Sequence, residues 1–174
     1  KGLADNTVII VMGDNGYFQG ERQLAGKWLM YDNSVRVPLI IYDPRNPIHR
    51  DISDYALNID IAPTLLGFAG ANSSKGWQGE NLSSYVTGKN PVAKRKEFVL
   101  EHLWQVDIIA PSEGFRTDRW KYFRYINDPS HEELYDLSID PLEITNLAKN
   151  PAYQNQLKSL REKMEKKVKG YLKD

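Results

Sequence analysis

The stretch Thr7-Val8-Ile9-Ile10-Val11-Met12-Gly13-Asp14-Asn15-Gly16 decides the fold of this chain. Its first six residues form an unbroken apolar run rich in β-branched side chains. Such a run predicts a strand that is covered on both faces, as in a parallel sheet between helices. Gly13 ends the run, so the polar residues that follow lie at the carboxyl end of the predicted strand. In open α/β sheets ligands bind at this edge.

A second predicted strand and a predicted helix follow the first strand. Residues 37–42 form a second apolar run with Pro38 near its start, where a missing N–H costs least in a strand. Residues 60–68 predict a helix with Asp60 as its N-cap and Pro63 in its first turn, the one helical position that tolerates proline. The first part of the chain is therefore predicted to be α/β.

The composition changes near Lys94-Arg95-Lys96, and we place a domain boundary there, between residues 1–95 and residues 96–174. Beyond it, short runs at 98–100, 113–116 and 120–125 predict antiparallel strands. Aromatic and basic residues alternate in the last run, which predicts one buried and one wet face. Pro151 begins a final helix, whose predicted buried stripe recurs at steps of three and four: Leu157, Leu160, Met164, Val168 and Tyr171.

Composition excludes several classes of function. Lys and Arg total 23 and Asp and Glu total 23, so no net charge attracts nucleic acid or an anionic membrane. The chain has no cysteine, which excludes disulfides, thiolate metal sites and cysteine catalysis within it. No apolar run approaches the roughly 20 residues of a membrane span. The chain opens almost directly on a buried-type strand, so we expect it to be a piece of a longer protein.

Asp14 and Asn15 are the first candidates for a ligand site. A carboxylate and an amide oxygen, flanked by glycines that let the backbone turn sharply, suit a hard cation such as Ca²⁺ or Mg²⁺. Asp-Asn-Gly is also an ordinary turn sequence. Lys27, which follows Gly26, is open to two interpretations in the same way: a solvated surface charge, or a point charge that binds a tetrahedral anion.

Several motifs in a fixed order resemble the formylglycine-dependent sulfatase family, within the alkaline-phosphatase-like superfamily. They are Gly13-Asp14-Asn15-Gly16 with Gly20-Glu21, Gly26-Lys27-Trp28 with Tyr31, Val35-Arg36-Val37-Pro38-Leu39, Asp60-Ile61-Ala62-Pro63-Thr64-Leu65, Gly114-Phe115-Arg116-Thr117-Asp118-Arg119-Trp120, and Glu133-Leu134-Tyr135-Asp136-Leu137. The match covers nearly the whole chain. It implies late strands and helices of a sulfatase domain in 1–95, and a small α+β C-terminal subdomain in 96–174, made of an antiparallel sheet and a C-terminal helix.

The resemblance assigns roles to three of these residues. Asp14 and Asn15 would be two ligands of a catalytic Ca²⁺ (or Mg²⁺), and Lys27 would be a catalytic residue that contacts the substrate sulfate. An amide at position 15 favours a hard ion, whereas an imidazole there would favour zinc and the phosphatase branch of the superfamily.

The rest of the family's machinery is absent from this sequence. The family's nucleophile is a formylglycine made from a Cys or Ser in a Cys/Ser-x-Pro-x-Arg motif, which this chain lacks. We therefore expect the formylglycine and the remaining metal ligands upstream, and we expect the fragment alone to be inactive. Its partners would be the upstream remainder of the sulfatase, or further copies of itself if it is expressed alone.

Two further residues are candidate substrate contacts. Arg22 stands where many relatives carry His, and it serves either as an anion contact or as an ion-pair partner. His102, in Glu101-His102-Leu103-Trp104, either faces a sugar or packs as a structural residue.

Sulfate-ester hydrolysis, with a carbohydrate as substrate, is the leading hypothesis. A sulfated small molecule or glycan would be the ligand, nucleic acid and membrane are not expected partners, and we expect the full-length protein to be periplasmic or secreted. The alternatives are a related phosphodiester or phosphonate-ester hydrolase, and a non-catalytic glycan-binding or scaffold remnant.

Overall fold

The computed structural model describes residues 1–88, 95–105 and 108–172, and within them two compact units. Residues 1–14 and 37–95 form the first unit, and residues 15–36 and 96 onward form the second. The units change over between Arg95 and Lys96, whereas Lys94 of the predicted boundary lies outside the described residues. Residues 15–36 pack with the later part of the chain, although the sequence placed them with the earlier part. The assignment of 1–95 and 96–174 to two domains stays a prediction.

The first unit contains a two-stranded antiparallel sheet and two short helices. Strand β1 (Ile9–Met12) pairs with β4 (Leu39–Tyr42), with Ile10 opposite Ile41. Helices α2 (Ile61–Phe68) and α3 (Ser83–Thr87) follow. The predicted parallel pairing of the first strand is not found with β4, which is antiparallel to it, and Val11 is 55% exposed in this unit. Coverage of both faces of the first strand stays a prediction. Two paired strands cannot cover each other's faces.

Asp60 has a different role from the predicted helix cap. Its side chain does not cap α2; it is fully buried and forms two hydrogen bonds with Arg95, at 2.7 and 2.8 Å. Its carboxylate also accepts hydrogen bonds from the backbone N–H groups of Leu57 and Glu80, each with an N–O distance of 2.7 Å. A buried carboxylate needs this many partners to offset its lost hydration, so Asp60 ties the segments around α2 together.

The second unit is built on a four-stranded antiparallel sheet with one long helix. Its strands pair in sequence order: β5 (Glu97–His102), β6 (Ser112–Thr117), β7 (Trp120–Tyr125) and β8 (Asp128–Asp136). Helix α4 (Gln154–Tyr171) follows a single 3-10 turn, Pro151–Tyr153, and the side chain of Asn150 caps that turn. The three strands β5, β6 and β7 and the final helix confirm the prediction, whereas strand β8 was not predicted.

The core of this unit lies between the sheet and α4. Leu157, Leu160 and Met164 of the predicted stripe are buried against Phe115 and Tyr122.

None of the helices in the described residues combines the length and apolar character that crossing a bilayer requires.

Residues 15–36 add the elements that carry the candidate site. They comprise a small hairpin of β2 (Phe18–Gln19) with β3 (Ala25–Gly26), and a single helical turn, α1 (Asp32–Val35). Phe18, Met30 and Tyr31 anchor this segment, because they are buried in a second cluster with Phe123 and Tyr135 of the sheet.

Candidate active site

A hairpin brings Lys27 back to Asn15. Phe18 pairs with Gly26 across β2 and β3, so the residue after β3 returns to the loop that precedes β2. There the Nζ of Lys27 donates to Oδ1 of Asn15 at 3.1 Å, and Nδ2 of Asn15 donates to the carbonyl of Gly16 at 2.7 Å. Asn15 and Lys27, two of the predicted site residues, are therefore in contact.

The backbone is strained immediately after Lys27. Trp28 has φ of 88°, in the left-handed region that a bulky residue adopts only when its surroundings enforce it. Such a conformation costs roughly 1–3 kcal/mol and is concentrated at functional sites. The Nζ of Lys27 lies 4.6 Å from the centroid of the Trp28 ring, within range of a cation–π interaction.

His102 lies beside this pair. It ends β5, and its ring stacks on that of Trp28, with centroids 5.3 Å apart and planes 27° from parallel. Its Nε2 is buried and has no hydrogen-bond partner among the described residues. Trp104 follows nearby in the chain and is 71% exposed. The structure thus brings His102 to the Lys27 loop through Trp28, a residue that sequence reasoning treated only as part of a motif.

Arg22 makes a different set of contacts. Its guanidinium carbon lies 3.9 Å from the centroid of the Tyr31 ring, and its Nη2 donates to the carbonyl of Leu142 at 2.8 Å. Its φ of 58° is in the left-handed region. These contacts hold Arg22 against the core, and its role as a substrate contact stays a prediction.

Two buried ionic clusters stabilise the segment that carries the site. In the first, Glu133 accepts hydrogen bonds from the hydroxyl groups of Tyr31 at 2.7 Å, Tyr125 at 3.2 Å, and Tyr135. Burial and the Glu133 carboxylate both raise the pKa values of Tyr31, Tyr125 and Tyr135 well above the usual value for tyrosine. The three phenols therefore stay protonated and act as donors over the whole physiological range.

In the second cluster, Lys121 is fully buried, with its Nζ 2.7 Å from Asp32 and 2.6 Å from Glu143. Burial works to raise the pKa of Asp32, but Lys121 and then Arg116 outweigh it, so the pKa is lowered and Asp32 is ionised. The predicted wet basic face of β7 is therefore wrong at Lys121. The predicted separation of aromatic and basic residues onto opposite faces is wrong as well. Tyr122 lies in the cluster with α4 and Phe123 in the cluster with Tyr31, so both faces of β7 are aromatic. Lys121 and Arg124 lie on opposite faces, each with acidic partners.

The donor set at positions 14 and 15 fits part of a hard-cation site. Asp14 is exposed and Asn15 half-buried, and both offer the oxygen donors that Ca²⁺ and Mg²⁺ prefer. Within 1–88, 95–105 and 108–172, no group of three or more His, Cys, Asp or Glu side chains is arranged so that it could hold a metal ion. Since Ca²⁺ takes 6–8 oxygen ligands, these two side chains cannot complete such a site by themselves, and their role as metal ligands stays a prediction.

The N-sulphoglucosamine sulphohydrolase C-terminal family model matches residues 20–170. The chain belongs to this family. The predicted sulfatase resemblance is thereby confirmed, and the chain corresponds to the C-terminal region of larger sulfatases.

Curated relatives agree with the family match. An N-acetylglucosamine-6-O-sulfatase of Bacteroides thetaiotaomicron is 33% identical over 98% of this chain and 31% of its own length. A choline-sulfatase of Rhizobium meliloti is 34% identical over 86% of the chain and 28% of its length. The chain thus spans about a third of the length of these relatives.

Solved structures confirm the fold class. An enzyme in complex with its substrate D-glucosamine-2-N,6-O-disulfate has a TM-score of 0.88 at 31% identity, over 99% of this chain and 36% of that one. The phosphonate monoester hydrolase of Agrobacterium radiobacter has a TM-score of 0.86 at 26% identity, over 98% of this chain and 36% of that one. The fold of this chain is therefore shared by sulfatases and by phosphonate hydrolases.

Proposed function

We propose that this chain is the C-terminal portion of a sulfatase that hydrolyses a sulfate ester on a sugar. The contact between Lys27 and Asn15, 3.1 Å long, carries the proposal. It places the ammonium group that would bind the sulfate next to the residue that would ligate a hard metal ion. Membership of the sulphohydrolase family and the sulfated-sugar substrates named for two of the relatives support it.

Lys27 supplies fixed positive charge in this account. Its ammonium group contacts the sulfuryl oxygens and stabilises the negative charge that moves toward the leaving oxygen, an effect that is strongest in a site already organised before reaction. The contact with Asn15 and the ring of Trp28 restrict where the ammonium group can lie. Lys27 is therefore the catalytic residue that this chain contributes.

Asp14 and Asn15 would hold a Ca²⁺ or Mg²⁺ ion together with ligands from upstream. When bound, the ion acts as a Lewis acid on a sulfuryl oxygen. The reaction also needs a formylglycine, which we place upstream of this chain. For this reason the isolated chain is expected to have no turnover.

The sugar would lie against the aromatic edge of the site. Trp28 and His102 form one stacked pair beside Lys27. The unpartnered Nε2 of His102 is a polar atom that a sugar hydroxyl would satisfy, at a site where an unmade hydrogen bond is costly. Arg22 is proposed as an anion contact. In that role its guanidinium group would exchange its hydrogen bond to the carbonyl of Leu142 for one to the substrate.

The upstream remainder is also the proposed partner of β1 and β4. Ile9, Val11 and Ile40 are between 50% and 61% exposed, so these strands present an apolar face that a companion segment or a second copy would cover. We further propose a periplasmic or secreted location for the full-length protein.

Phosphonate- or phosphodiester-ester hydrolysis is the second candidate, since the hydrolase of Agrobacterium radiobacter shares the fold over nearly the whole chain. The test measures kcat/KM of the full-length protein on an aryl sulfate, an aryl phosphonate monoester and an aryl phosphodiester, before and after chelation of divalent metal. The sulfatase proposal expects the sulfate ester to be preferred and chelation to abolish turnover. Preference for a phosphorus ester would favour the second candidate, and no turnover of any ester would favour a binding or scaffold role.

A further inference from the structure

Ser34 connects the two loops that carry the candidate site. It lies in the single turn of α1 and is 3% exposed. Its carbonyl oxygen accepts the N–H of Gly16 at 2.8 Å, and its Oγ accepts the N–H of Trp28 at 3.0 Å. Gly16 directly follows Asn15, and Trp28 directly follows Lys27. One buried residue therefore holds the backbone next to both members of the Lys27–Asn15 contact.

The backbone segments that Ser34 connects are closely packed. A Cβ at position 16 would overlap the backbone carbonyl of Asn33, so only glycine allows α1 to approach this closely. On the other side, Trp28 keeps its strained φ of 88° while its N–H is bound to Ser34. Without that acceptor the strained residue loses one of the contacts that hold it, and the loop is free to relax.

Helix α1 is in turn fixed to the sheet. The N–H of Asp32 donates to Oε2 of Glu143 at 2.7 Å, and Lys121 bridges the two carboxylates. Glu143 and Lys121 are both buried, and Glu143 has φ of 56°. The ionic cluster thus sets the position of α1, and α1 sets the position of Ser34.

We propose that Ser34 is a positioning residue for the reaction, acting through Lys27. Its hydroxyl oxygen fixes the Trp28 N–H and thereby the position of the Lys27 ammonium group against Asn15. This inference rests on the proposed function, because it assigns Ser34 a role in the same site. A misplacement of about 1 Å at such a group can lower a rate about 100-fold.

The test uses the full-length protein and two substitutions with different volumes. Ser34→Ala removes the acceptor, and Ser34→Cys fills the site with a somewhat larger side chain that is only a weak acceptor. Both are expected to lower kcat on an aryl sulfate by roughly 10- to 100-fold, with a change in KM of less than about threefold, and to speed amide hydrogen exchange at Trp28. Ser112→Ala is the matched control, because Ser112 is fully buried and its Oγ has no hydrogen-bond partner among the described residues.

A double-substitution cycle separates positioning from general stability. If Ser34 acts through Lys27, Ser34→Ala adds less than about a threefold loss in a Lys27→Ala background. An equal loss in both backgrounds, or wild-type kcat in Ser34→Cys, would overturn the inference while leaving the proposed function in place. A wild-type protein that hydrolyses no sulfate ester would instead overturn the proposed function, and the positioning role with it.

Discussion

Replacing Lys121 by methionine should strongly destabilise the second unit. Lys121 is fully buried, and its Nζ lies 2.6 Å from Glu143, which is itself 1% exposed. The change would leave a buried carboxylate without its counter-charge, which costs about 3–5 kcal/mol. That is a large part of the roughly 5–15 kcal/mol that separates a folded domain from its unfolded state.

The free energy of unfolding is measured by urea denaturation of the full-length protein, with tryptophan fluorescence as the probe. Lys158→Met is the control: Lys158 is 73% exposed in a pair with Glu162, and its loss should cost less than about 0.5 kcal/mol. The double variant Lys121→Met/Glu143→Met should lose less than the sum of the two single variants, because it removes both charges. A Lys121→Met protein within about 1 kcal/mol of wild type would refute the argument.

Three further predictions concern the site and its support. Gly16→Ala should lower the melting temperature and kcat together, because the new methyl group would overlap a backbone carbonyl of α1; a variant with wild-type values of both would contradict the close approach. His102→Ala should raise KM for a sulfated sugar about tenfold, the loss of roughly one hydrogen bond, and lower the melting temperature by only a few degrees through the lost stacking on Trp28; unchanged KM would remove it from the sugar site. Hydrogen bonds from Arg119 lower the pKa of Asp136 to about 2 against opposing burial, so its carboxylate stabilises the fold above about pH 4, and that contribution is lost between about pH 4 and pH 2. Asp136→Asn should therefore cost about 1 kcal/mol at pH 7, reduced from the full linkage value because Arg119 is 58% exposed, and urea titrations should show the deficit shrinking toward pH 2; a deficit independent of pH would contradict this.

Local sequence patterns predicted the elements that depend on local chemistry. The stripe that includes Leu157 and Met164 gave α4 its buried face, and the apolar runs marked β1 and β4. Strand β8 was missed because its polar residues, with a proline at 129, resemble a loop. It is a strand because β7 beside it offers a free edge and buried partners for its side chains.

Contacts between distant segments could not be predicted from the sequence. Nothing near Lys121 in the chain indicates that Asp32 and Glu143 will bury it. The stacking of Trp28 on His102 depends on how the hairpin segment lies against β5. A positive φ at a tryptophan has no sequence signal, so the connection through Ser34 became visible only in the structure.

The central claim is that this chain supplies the cationic group of a sulfatase site. The most direct test measures kcat/KM of the full-length protein and of its Lys27→Ala variant on an aryl sulfate, with Lys158→Ala as the control. We expect Lys27→Ala to lower kcat/KM by about 100-fold or more, the typical effect of removing one stabilising donor of this kind, while the control keeps the wild-type value. Equal activity of wild type and Lys27→Ala would contradict the account.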